Sequence, residues 1–286
     1  MRYGDFASLC ERSPLPICRV FGNVDQLSCH PKNYAVGDSR LINLADFVIS
    51  ILAFLATVYF GFRAHRKLAA VGRREMTLLL SIFCVLLAIN IAGADFIHTA
   101  PTVNQWLGVV NTALVVAFFW ALILFGLVGF QFLPDGSFAS ILSIVVTTAI
   151  VFVGIGYIAA DTAFGISSGL QPKISDPFYS PGLFTVYLVF PLAAIAIYVV
   201  SQTIVVIKYL AVRLPLVWLL ASLVCFAVAQ VLMFSVSKKI CTGTSGNIDG
   251  AFFGTLLDSA AVLCIYGFWS AITEDDSEDY AGMYKF

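Results

Sequence analysis

The stretch from Leu41 to Arg74 constrains this chain more than any other. Leu41 to Phe62 is almost wholly apolar, and the basic residues Arg63, Arg66, Lys67, Arg73 and Arg74 follow at once. At about 1.5 Å rise per residue the apolar part spans roughly 33 Å as a helix, enough to cross a bilayer core. Lys and Arg beside a spanning helix favour the cytosolic side, so this segment predicts a helix running from outside, or lumen, to cytosol. That orientation assigns a side to every later loop and places residues 1–40 outside the cytosol. Composition agrees: the chain is 60% hydrophobic and 12% charged, with a mean hydropathy of +0.93. Such values lie far from a soluble globular domain. A net charge of -1 and no basic tract beyond this loop argue against a nucleic-acid partner.

The expected fold is an all-α membrane protein, a seven-transmembrane helix bundle with a lumenal or outer amino end and a cytosolic carboxyl end. Residues 1–40 read as a polar extramembrane arm bearing cysteines, with Pro14, Pro16 and Pro31 as breakers. No apolar run of signal-peptide type precedes Leu41, so the first helix is expected to act as its own targeting signal. Residues 41–272 hold seven spans, near 41–62, 76–97, 107–130, 138–160, 182–207, 214–236 and 251–272. Turn chemistry separates them: Pro101, Pro134-Asp135-Gly136, Pro177 with Pro181-Gly182, Arg213 with Pro215, and Thr242 to Gly250. Residues 273–286 form an acidic cytosolic tail. No internal repeat of the inverted-transporter kind is evident.

Charge and cysteine placement test the topology. Short loops expected in the cytosol hold seven basic residues: Arg63, Arg66, Lys67, Arg73, Arg74, Lys208 and Arg213. Outer loops after the first helix hold Lys173, Lys238 and Lys239, while Arg40 opposes the assignment. Cys10, Cys18, Cys29 and Cys241 all fall on the outer side. Four cysteines in an oxidising compartment suggest two disulfides with three connectivities, one bond tying Cys241 to the arm. Cys84, Cys225 and Cys264 sit within apolar spans, where thiols pack as small hydrophobes.

Polar residues inside the spans are few. Asn43, Asp46, Asn90, Asp95, Asn111, Gln230 and Asp258 gather toward the outer half. Asp46 and Asp258 are each expected roughly 10 Å below the outer surface. Carboxylates at that depth turn inward, to partners or to a wet cavity. Lys238, Lys239, Arg40 and His98 are the candidate counter-charges. The layer reads either as interhelical hydrogen bonding or as a cavity for a ligand or partner helix. Small-residue faces at Gly126-x-x-Gly129 and Gly154-x-Gly156 are further candidates for contact within the membrane, with internal packing as the plainer reading.

Catalysis finds no support. His30, His65 and His98 form no metal-binding pair, and no nucleophile elbow, P-loop or dinucleotide fingerprint is present. No catalytic residue, cofactor or metal is expected. Seven spans with an outer amino end match the layout of G-protein-coupled receptors, but an Asp-Arg-Tyr-like triplet and an Asn-Pro-x-x-Tyr-like run are missing.

Five segments carry a closer resemblance. They are Pro14-Leu15-Pro16-Ile17-Cys18, Ala70-Val71-Gly72-Arg73-Arg74-Glu75, Gly126-Leu127-Val128-Gly129-Phe130-Gln131 with Leu133-Pro134-Asp135-Gly136, Ile248-Asp249-Gly250-Ala251-Phe252-Phe253, and Tyr266-Gly267-Phe268-Trp269-Ser270-Ala271-Ile272-Thr273-Glu274-Asp275. In this order and spacing the chain resembles the fungal chitin synthase export chaperones, endoplasmic-reticulum membrane proteins. The resemblance implies a non-enzymatic chaperone in the reticulum membrane, with chitin synthase as its polytopic client and cell-wall chitin synthesis as the process served. Onward travel with the client to the plasma membrane stays open. The basic loop is a candidate contact for anionic membrane lipids. Asp276-Ser277-Glu278 in the tail resembles the acidic signals read by vesicle-coat cargo receptors. The alternative from another class is a seven-helix receptor or small-ligand binder using the outer polar layer.

Overall fold

The computed structural model describes residues 3–22, 28–29, 31–36, 39–67, 70–93, 101–130, 137–167, 178–210 and 214–273. Seven helices in it are long and apolar enough to cross a membrane: Leu44–Arg66, Arg73–Gly93, Thr102–Val128, Phe138–Phe164, Pro181–Lys208, Leu214–Gly243 and Gly250–Ile272. In chain order these are spans one to seven of a multi-pass, all-α membrane bundle.

Local chemistry sets the helix ends. Residues Asn33–Val36 (β1) and Ser39–Ile42 (β2) pair as an antiparallel hairpin in the register Asn33↔Ile42. Span one therefore starts at Leu44 and not at Leu41. Asn43 sits before it with φ 60, and its side chain accepts a hydrogen bond from the Asp46 backbone N–H. That is the N-cap arrangement that satisfies an orphan donor. Ser137 does the same for span four, and Asp249 for span seven. Span four ends on Gly165 in the left-handed region, the usual helix stop. Between the first two spans Gly72 turns the chain at φ 69, and its carbonyl accepts from the Met76 N–H.

Spans five and six are not uniform α-helices. Thr185–Val189, Val206–Leu210 and Leu232–Val236 are π-helical. Each such segment shifts the hydrogen-bond ladder and rotates the face presented beyond it.

Span three is the central helix, packed against spans two, four and five and against the arm. Span seven packs on spans six and one, and span one on span two. The helices are thus threaded six–seven–one–two–three–five, with four against three.

Two apolar cores result. One lies toward the basic loop, built from Met76, Leu79, Phe83, Phe118, Phe125, Tyr198, Phe268 and Trp269 among others. The second lies at the opposite end, and half of it comes from the arm: Phe6, Leu9, Leu15, Ile17 and Val20 pack with Val109, Ala159, Ala160, Phe178 and Leu183. The arm is therefore not the polar appendage its composition suggested. Cys84, Cys225 and Cys264 are partly exposed thiols, not buried filler.

Candidate functional site at the arm end

Two short elements shape the arm, the helix Ala7–Arg12 (α1) and the 3-10 turn Pro16–Phe21. The Cys10–Cys18 disulfide clips them together with a Cα–Cα distance of 5.7 Å. This unit presses on span three where Gly108 leaves room: a Cβ there would lie 2.9 Å from the Arg19 Cβ and 3.1 Å from the Val20 nitrogen. Gly93 of span two likewise yields space to the Arg19 guanidinium.

Hydrogen bonds fasten the arm to the π-helical segments. Ser13 Oγ donates to the Met233 carbonyl in span six, and the Tyr3 hydroxyl bonds Thr185 Oγ1 in span five. Backbone bonds Phe6 N to Phe178 O (3.1 Å) and Ser180 N to Gly4 O (2.9 Å) complete the seam before span five. A second disulfide, Cys29–Cys241, ties the segment before the hairpin to the end of span six across 212 residues of chain, with a Cα–Cα distance of 6.2 Å. Both bonds use the four cysteines expected to pair, and Cys241 is joined to the arm. The Lys238–Glu11 ion pair at 3.8 Å is about half exposed and contributes little.

Beneath this cap the expected polar layer resolves into separate pairs. Thr255 Oγ1 of span seven donates to Asp46 Oδ1 of span one at 2.8 Å. Gln230 Nε2 of span six donates to Asp258 Oδ1 of span seven at 3.3 Å. Asn111 Nδ2 of span three donates to Asn90 Oδ1 of span two at 2.5 Å. Each pair sits at one helix interface, and the three together join five spans. Asp46 lies in the first turn of span one, shallower than a start at Leu41 implied. Asp258, eight residues beyond Gly250, is roughly 12 Å along span seven. Asp95, His98, Asp276 and Glu278 lie outside the described residues.

Several partners were not anticipated. Asp249 caps span seven through Oδ1, which accepts from the Ala251 and Phe252 N–H groups, and its side chain also hydrogen-bonds Asn43. Burial holds the Asp249 carboxyl above the usual carboxylate range, opposed by those bonds, and among the described residues its enclosed Oδ2 has no hydrogen-bond partner. An acid directly before the apolar run starting at Gly250 was the readable signal for this cap. Arg19, whose charge acts on Asp46, carried no such signal, and neither did Tyr187, which interacts electrostatically with Asp258. Among the expected counter-charges, Lys238 is engaged with Glu11.

The other end is organised differently. Trp269 Nε1 donates to the Val71 carbonyl at 2.8 Å. Lys67 Nζ donates to Ser270 Oγ at 2.8 Å and stands 6.0 Å above the Trp269 ring. Buried Glu75 accepts from Ser140 Oγ at 3.0 Å. Arg63 lies over the Tyr59 ring at 6.0 Å, and Arg63, Arg66 and Arg74 are exposed, whereas Arg73 is half-buried. The small-residue faces also divide. Gly126 and Gly129 pack against Tyr198, Ser201 and Val205 of span five, and Gln202 Nε2 donates to the Gly126 carbonyl at 2.8 Å. Gly154 has open space around it, and Gly156 faces Ala113 of span three. Among the described residues no group of three or more His, Cys, Asp or Glu side chains converges on a metal position.

A family model described as "Chitin synthase export chaperone" matches residues 2–283. A chitin synthase export chaperone of Cryptococcus neoformans is 31% identical over 98% of this chain and 77% of its own length. Those of Neurospora crassa and Phaeosphaeria nodorum are each 29% identical, over 98% and 99% of this chain and 79% and 86% of their own lengths. No solved structure matches.

Proposed function

Because the chain belongs to the chitin synthase export chaperone family, we propose that it is a non-enzymatic membrane chaperone that assists the folding of chitin synthase and its exit from the endoplasmic reticulum. The observation that carries this is the match of a single family over residues 2–283, arm and bundle together. In this reading the arm end is lumenal and the tail cytosolic. Two disulfides at the arm end support a lumenal arm, since such bonds persist in oxidising compartments. Exposed Arg63, Arg66 and Arg74 at the opposite end support a cytosolic loop and a contact with anionic lipid headgroups.

The working principle follows from the solvent. A polytopic client exposes polar and small-residue helix faces until its own bundle is complete, and in lipid those groups find no water. A stable seven-span bundle offers them packing surface and hydrogen bonds during that interval. Span four, with its outward Ile150, Val153 and Tyr157 beside the open Gly154, offers such a surface. The acidic tail is the element through which vesicle-coat cargo receptors engage the pair.

The test is deletion of the gene followed by localisation of chitin synthase, with co-purification in mild detergent. Retention of the synthase in the reticulum, together with its recovery on the chaperone, is the expected result. Normal delivery in the deletion strain overturns the reading.

A further inference from the structure

Span one carries its exposed side chains on one face. Ser50, Ala53, Thr57 and Ala64 are buried, on the side where the helix packs against spans two and seven. At 3.6 residues per turn, Leu52, Leu55, Tyr59, Phe62, Arg63 and Arg66 fall within an arc of about 100° on the opposite side. All six are exposed, Phe62 at 67%. Four largely apolar side chains thus run along the outward side of the helix, and two guanidinium groups close the stripe at its end.

The basic residues of this end are not equivalent. Lys67 Nζ donates to Ser270 Oγ, Arg73 Nη1 reaches the His65 carbonyl at 3.5 Å, and Arg74 is engaged within the protein as well. Arg63 and Arg66 meet no acidic side chain among the described residues. Arg63 instead lies over the Tyr59 ring, 6.0 Å from its centre. Helical side chains lean toward the amino end of their helix, which from the last turn of span one is the direction of the membrane interior. Both charges are therefore carried down beside the apolar stripe and not out into water. Residues three apart in a helix hold their Cβ atoms about 5–6 Å apart, so a single phosphate can accept from both guanidinium groups.

Deepening the contact with anionic lipid proposed above, and resting on it, we propose that Arg63, Arg66 and the stripe below them form a site for one anionic phospholipid. Its phosphate sits between the two guanidinium groups, and its acyl chains lie along Leu52, Leu55 and Phe62. Charge and shape select the occupant together. A soluble phosphate would use the two cations and leave the apolar stripe unused, whereas a phospholipid uses both. Among the described residues no carboxylate stands beside the arginines to hold the ammonium of a zwitterionic headgroup.

The experiment is native mass spectrometry of the full chain in mild detergent, with phosphatidylinositol or phosphatidylcholine added. One phosphatidylinositol per chain is expected to be retained, and phosphatidylcholine is not. Arg63→Gln combined with Arg66→Gln is expected to weaken retention about thirtyfold. Lys238→Gln combined with Lys239→Gln, at the opposite end, should leave it unchanged. Arg63→Lys combined with Arg66→Lys keeps the charge that orients the helix but loses the forked donors, so a partial loss is expected, which a purely topological role would not produce. Full retention by the Gln pair overturns the site, and so does equal retention of phosphatidylcholine. Displacement by soluble inositol phosphate as readily as by the lipid overturns the assignment to a lipid. A photo-crosslinker at position 55 that labels a second protein and no lipid overturns it too. Should the Gln pair fail to accumulate, the Lys pair decides, and full retention there overturns the site. The cytosolic placement of the loop fails separately: a tag in the loop that is protected from protease in sealed microsomes defeats that placement, whatever the lipid count in detergent.

Discussion

At the arm end one disulfide clips the arm together and a second ties it to span six, over a buried amino-terminal segment and three interhelical polar pairs, whereas at the basic end the spans meet through aromatic and aliphatic side chains closed by Trp269 and Lys67. The difference follows from what each end must do in lipid. Helices in a bilayer gain nothing from leaving hydrocarbon for hydrocarbon, so close packing and interhelical hydrogen bonds hold them together. The basic end relies on packing density. The arm end contains two of the three π-helical segments and glycines that leave room for the arm, and two disulfides secure it.

Substitutions can break or sharpen that contrast. The largest effect is expected at the basic end: Trp269→Ala removes a buried indole and leaves the Val71 carbonyl without its donor. A loss of about 3–5 kcal/mol is expected, visible as a lower thermal midpoint in detergent, with both disulfides intact by peptide mapping. Next comes Cys241→Ser, which opens the long covalent loop and is expected to cost about 2–4 kcal/mol. Reductant should lower the midpoint of wild type by more than it lowers that of Cys241→Ser; equal shifts would remove the arm-end bond from the account. Gly126→Val forces span five away from span three and is expected to cost about 1–3 kcal/mol. Gly154→Val, in open space, should stay within about 0.5 kcal/mol of wild type. Comparably small is Asp46→Asn, at about 0.6 kcal/mol, with a double-mutant cycle against Thr255→Val reading the coupling directly.

The spans were legible because a membrane helix announces itself by run length and hydropathy alone. Seven apolar runs were expected, and among the described residues seven helices of sufficient length are present. Ends were harder to read. Leu41 and Ile42 look like the start of span one by hydropathy, yet their backbone pairs with Tyr34 and Asn33. The arm misled for a related reason: Phe6, Leu9, Ile17 and Val20 are scattered among prolines and cysteines, so no period reveals that all four are buried. For the polar layer, counting residues along each helix estimates depth but not direction around the axis. It brings Asp46, Gln230 and Asp258 to one half of the membrane, but it cannot choose Thr255 as the partner of one and Gln230 as that of another. Cysteine pairing had the same limit, since three connectivities fit the same four positions.

The Cys29–Cys241 bond also imposes an order on biogenesis. Its first thiol is made early, and its second only after 212 further residues. At about 5–20 residues per second the ribosome needs on the order of 10–40 seconds to deliver the second. Through that interval the amino-terminal segment must wait for its mate, so this cross-link cannot be sealed until span six has been made. A member of an export-chaperone family is in this way fastened late in its own assembly.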